Sequence, residues 1–89
     1  MHRVHFVDFD NKKVLREETI DESNKALEMA ESMSKIKGQE ILIFDSLFRT
    51  MKAEFSHYTT VRKGTSNLYF LNFKNVTLSD IQLPVQLTP

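Results

Sequence analysis

From about residue 20 to residue 37 runs the one stretch whose apolar residues recur with a clear helical period. Ile20, Ala26, Leu27, Met29, Ala30, Met33 and Ile36 fall within a little over half of a helical circumference, with Asp21, Asn24, Lys25, Glu28, Ser32 and Lys35 on the other side. Thr19 and Glu22 have the Thr-x-x-Glu spacing of a capping box. Asp21 and Glu22 suit the positive end of the helix dipole. Asp21–Lys25 and Glu31–Lys35 have favourable acid-before-base spacing, and Gly38 suits the left-handed residue that ends a helix. Leu27, Ala30 and Met33 are expected to be buried. A lone helix covers one face of one sheet, so it limits what the other segments can do.

Those segments read mostly as strands. Val4, Phe6, Val7 and Phe9 put apolar groups on both faces of an extended run. Asp10-Asn11-Lys12 supplies a turn, and 13–17 returns as a charged edge strand with Val14 expected inward. The β-branched run 40–44 reads as an interior strand. Phe48, Met51, Phe55 and Tyr58 fit a helical period, but 51–57 alternates and continues into Tyr58-Thr-Thr-Val61, which favours a strand. Residues 63–67 form a turn. Leu68, Phe70 and Asn72 then face opposite to Tyr69, Leu71 and Phe73. Pro84 and Pro89 break up the remainder. The expectation is an α+β fold in β-β-α-β-β-β order, a two-layer domain over 1–74 with an antiparallel or mixed sheet, and a C-terminal extension over 75–89.

At 89 residues the chain builds one modest core and has little room for a deep catalytic cavity. Without cysteine it has no disulfide framework, thiol nucleophile or thiolate zinc site. No apolar run suits a signal peptide or a membrane span, so the expected home is the cytoplasm. Twelve basic and twelve acidic residues cancel. Seven of the acids fall between residues 16 and 40, leaving the half from 41 to 89 mildly basic with five cations against three acids. A nucleic-acid module usually shows a stronger basic excess.

Motifs for chemistry are sparse. Phe6-Val-Asp-Phe-Asp10 resembles, over five residues, the strand-end motif of haloacid-dehalogenase-type phosphatases, which would pair Asp8 with Asp10 as catalytic carboxylates. No later lysine and acidic pair accompanies it, and the chain is too short for that fold. Two solvated aspartates opening a turn is therefore preferred, with a minimal hydrolase ranked last. His2, His5 and His57 have no metal-ligand spacing. No serine sits in a nucleophile-elbow motif, and Gly38 and Gly64, the two glycines, make no phosphate loop. The reading is no catalytic residue, no metal and no cofactor.

Two binding functions remain. The preferred one is a non-enzymatic module that occupies or modifies a partner protein's surface, in the manner of small regulators and accessory proteins of phages and mobile elements. Homodimerisation is also expected, because the apolar strand faces exceed what one helix covers. The runner-up is single-stranded nucleic-acid binding through Arg62, Lys63, Tyr69 and Lys74, a basic and aromatic set around a hairpin.

Overall fold

A computed structural model describes residues 2–79. Five strands, β1 (His2–Asp8), β2 (Lys13–Ile20), β3 (Glu40–Phe44), β4 (Thr50–Lys63) and β5 (Ser66–Leu78), form one mixed sheet, and the helix α1 (Ser23–Lys35) lies between β2 and β3 in the chain. The fold is α+β. Spatial order is β2-β1-β5-β4-β3, with β1 and β5 parallel at the centre and every other pair antiparallel; β3, expected in the interior, is an edge strand paired with β4. No helix among the described residues is long and apolar enough to cross a membrane.

The central register follows from alternation. Val4 lies opposite Tyr69 and Phe6 opposite Leu71, so the apolar sets of both strands share the face toward α1. On β4, Met51, Ala53 and Phe55 join that face, and Phe55 lies opposite Phe73. Phe73 is fully buried between two rings, stacked on Phe6 at 5.9 Å and edge-on to Phe55 at 5.6 Å.

The helix packs through small residues. Ala26 and Ala30 are fully buried, and Met29 and Met33 close the margin. Leu27, expected in the core, is 39% exposed. It lies about 100° around the helix from Ala26, off the stripe that two alanines hold close to the sheet. The N-terminus also differs from expectation. Thr19 and Ile20 pair with Arg3 and His2 as the end of β2, so the capping box is spent in a strand ladder. Glu22 is the N-cap, with no side-chain cap hydrogen bond, and it pairs with Lys25 at 3.5 Å.

Three register irregularities bend the sheet, one between β1 and β2 and two between β4 and β5. The first reverses the parity of β2, so that Leu15 is buried and Val14, expected inward, is 53% exposed. Asn75, in the left-handed region at φ 54°, lies at one of the others and donates to Glu54 Oε2 at 3.1 Å. Bulges increase local twist, and the sheet curls until its two edges touch at one point. Just beyond β3, the Ser46 N–H donates to the Leu15 carbonyl of β2 at 2.9 Å.

β4 confirms the strand reading of its segment. β5 passes through Lys74 to Leu78, so the expected boundary at 74 falls inside a strand. The rest of the extension, 80–89, lies outside the described residues. Asp8 is buried rather than solvated, accepting the Asn11 N–H at 3.3 Å and Nδ2 at 2.8 Å, while Asp10 is exposed in the turn.

Burial ranks the substitutions. Phe73→Ala should cost about 3–5 kcal/mol, which for a domain this small approaches the whole stability. Leu27→Asp should cost less than about 1 kcal/mol, as a partly exposed position. Urea denaturation of both variants checks the order; an unfolded Leu27→Asp chain would contradict this packing.

Candidate functional site

The turn between β3 and β4 is built on one carboxylate. Asp45 is 3% exposed, and its Oδ1 accepts the backbone N–H of Leu47 at 3.0 Å and of Arg49 at 2.8 Å. Its Oδ2 accepts Nε and Nη2 of Arg49, both at 2.7 Å. The backbone closes the same turn: Phe48 N–H donates to the Asp45 carbonyl at 3.0 Å, and Asp45 N–H to the Arg49 carbonyl at 3.1 Å. Burial, the largest influence, pushes the Asp45 carboxyl up. The Arg49 and Leu47 hydrogen bonds and the Arg49 charge outweigh it and hold the pKa below the ordinary 3.8.

This clamp holds two large apolar side chains in solvent. Leu47 is 68% exposed and Phe48 83%. Phe48 is also left-handed, at φ 61°. That conformation costs a residue with a Cβ about 1–2 kcal/mol, so the loop carries strain as well as exposed apolar surface.

Other apolar groups share this end of the sheet. β1 and β5 finish here and β2 and β4 begin here. Of the seven large apolar residues exposed among the described residues, Phe9, Val14, Leu47, Phe48 and Leu78 belong to this end, against Leu27 and Val61 elsewhere. Leu78 lies opposite Met51 on β4, and the next residue, Ser79, donates its N–H to the Thr50 carbonyl at 2.9 Å.

The residues expected to bind nucleic acid are divided by the fold. Arg62 and Lys63 are exposed at the opposite end of the sheet, before a turn in which Gly64 takes φ 63°, and Arg62 Nε donates to the Gly64 carbonyl at 3.3 Å. Lys63 lines an open cleft of about 280 Å³ with Arg3, Ser66 and Leu68. Tyr69 is buried under α1 and presents no ring to solvent. Its neighbour Phe70 lies on the uncovered face, stacked on His5 at 4.9 Å. Lys74 stands opposite Glu54, eight positions along β4 from Arg62 and about 25 Å away at strand rise.

The histidines are separated as well. His2 Nδ1 accepts the Asn67 N–H at 3.2 Å, His5 Nε2 contacts Glu17 Oε2 at 2.6 Å, and His57 meets Phe9 edge-on at 5.2 Å. Among the described residues no group of three or more His, Asp and Glu is placed to hold a metal ion.

Local pattern does not mark Asp45, Leu47 and Phe48 as a site: Phe48 fits a helical period with Met51 and Phe55, while the alternation that favours a strand begins only at Met51. The usable signal was an aspartate directly after a β-branched run, where its side chain can accept backbone N–H groups further along and form a turn.

The chain matches no protein-family model, no curated protein and no solved structure.

Asp45→Asn should destabilise the domain by about 1.5–3 kcal/mol at neutral pH, since it weakens several charge-assisted hydrogen bonds. The folded-state pKa lies below the unfolded value, so this contribution is complete at neutral pH and is lost as pH falls through the folded pKa, below 3.8. Denaturation curves at neutral and acid pH should therefore converge for the two proteins; a constant difference would contradict the clamp.

Proposed function

We propose that this chain is a non-catalytic protein-binding module whose contact surface is the Asp45-clamped loop and the apolar residues around it. The carrying observation is Phe48, an 83% exposed aromatic in the left-handed region, on a loop whose backbone is hydrogen-bonded to a buried carboxylate. A loop that only connected two strands would gain by placing Gly or Asn at the left-handed position. Aromatics presented on a rigid support are what protein interfaces use as anchors, because little conformational entropy remains to be lost on binding. The two carboxylates buried among the described residues support the non-catalytic reading. Asp8 and Asp45 each hold a turn together with both oxygens, which leaves neither oriented toward a substrate.

Phe48→Gly separates function from folding. Relief of the left-handed conformation offsets the extra chain entropy of glycine, so stability should stay equal or rise by up to about 1 kcal/mol. Partner binding should be lost. The immobilised chain, challenged with an extract of its source organism, should retain one protein in stoichiometric amount, and Phe48→Gly and Leu47→Asp should not. Equal retention by the variants would remove the loop from the interface.

One observation favours a second reading, single-stranded nucleic-acid binding. Arg3 and Lys63 flank an open cleft on the uncovered face, which also carries the Phe70 ring. Two phosphate contacts would give a log–log salt slope of about −1.4, at about −0.7 per contact, and Phe70→Ala would lose about 1–3 kcal/mol if a base stacks there. Fluorescence anisotropy with a labelled oligonucleotide checks both values. No saturable binding at moderate salt leaves the protein-binding reading alone.

A further inference from the structure

We propose that β3 is a dimerisation edge, pairing antiparallel with the β3 of a second copy of this chain about a twofold axis at Leu42. Asp45 N–H donates to the Arg49 carbonyl, and hydrogen-bonded pairs alternate along an antiparallel ladder. Ile43 and Ile41 are then the residues bonded to Met51 and Ala53 of β4. The N–H and C=O of Glu40, Leu42 and Phe44 point away from β4, where no strand is paired among the described residues. The next N–H on that side, from Ser46, is already taken by Leu15.

The two edges of the sheet differ in protection. β2 carries Lys13, Arg16, Glu17 and Glu18 and a bulge, features that block strand addition. β3 reads Glu-Ile-Leu-Ile-Phe, with one charge, no proline and no bulge. Such a strand is a template for another strand.

The occupant that fits is β3 itself. Antiparallel pairing centred on Leu42 sets Glu40 against Phe44 of the second copy and Ile41 against its Ile43. Ile41 then meets isoleucine on the helix side of the sheet, while the two Glu40 carboxylates stand at opposite ends of the seam, so no like charges meet. The chain's net charge of zero adds no overall repulsion between copies. Five paired residues make a small seam beside the roughly 1,600 Å² of a standard interface, so dimerisation should depend on concentration.

Sedimentation equilibrium and a single-cysteine trap test this. The chain has no cysteine, so Leu42→Cys carries one thiol per copy. Directly opposed residues in a hydrogen-bonded pair have Cα atoms about 5.5 Å apart, within disulfide reach. The expected results are reversible association toward twice the 10.4 kDa chain mass, rapid cross-linking of Leu42→Cys under mild oxidation, and none for Lys13→Cys on the opposite edge. Leu42→Lys should be monomeric with an unchanged circular dichroism spectrum. If that variant unfolds, the two cysteine variants decide. A chain that stays monomeric at high micromolar concentration, equal cross-linking of both cysteine variants, or a dimer that survives in folded Leu42→Lys would each overturn the proposal. Leu47→Asp should dimerise normally, which separates this seam from the partner-binding loop; a dimer lost in that variant would also overturn it.

Discussion

The parallel pairing of β1 with β5 is the contact on which the fold depends. It joins Arg3 to Leu68, sixty-five positions apart in the chain, and leaves β2 outside one partner and β4 and β3 outside the other. Closing a loop of that length costs about 4 kcal/mol in its length-dependent part. Val4, Phe6, Tyr69, Leu71 and Phe73 meet in this pairing and are all buried. At about 1.5–3 kcal/mol for each buried side chain, their burial exceeds the closure cost. The pair also gives α1 its floor, and because the helix packs there through Ala26 and Ala30, its backbone can lie close to the sheet.

Bulges turn this sheet into a curved one, and the curvature brings distant groups together. β2 and β3 are opposite edges in strand order, yet the Ser46 N–H reaches the Leu15 carbonyl. That contact ties the base of the β3–β4 loop to the far edge, while Asp45 ties its tip to Arg49. Backbone held at both points resists collapse of Leu47 and Phe48 onto the body of the domain. The exposure of these two side chains is thus supported by polar bonds beneath them, an arrangement suited to presenting an apolar tip to another molecule.

Several groups with chemical potential are occupied by structure. Asp8 closes the first hairpin and Asp45 the β3–β4 loop, so both buried carboxylates act as turn acceptors. His5 lies flat on Phe70 and contacts Glu17, which fixes the ring on the uncovered face. The aromatic residues of the central strands divide by face: Phe6, Phe55, Tyr69 and Phe73 build the core, while Phe70 stacks on His5 and Phe9 meets His57 on the other side. This division, more than the number of aromatics, decides which of them lie outside the core.

Local pattern alone determined the α+β class, the central helix, a strand over 51–61 and the alternation that opposes Phe70 to Tyr69, because each is an interaction among near neighbours with its own period. The limits of local reading show at Thr19 and Glu22. Their spacing is that of a cap, but pairing of Thr19 with Arg3 competes for the same backbone and prevails. Val14 was misplaced because a bulge shifts strand parity by one residue, which the alternation in 13–17 does not reveal. Leu27 is apolar and correctly phased within a broad arc, yet the buried stripe is narrow, and its width depends on how closely the sheet approaches. The candidate site was the least legible part. Asp45, Leu47 and Phe48 acquire their roles only when the curled sheet buries the carboxylate and leaves the two side chains outside, and that curl is a sum of bulges spread over four strands.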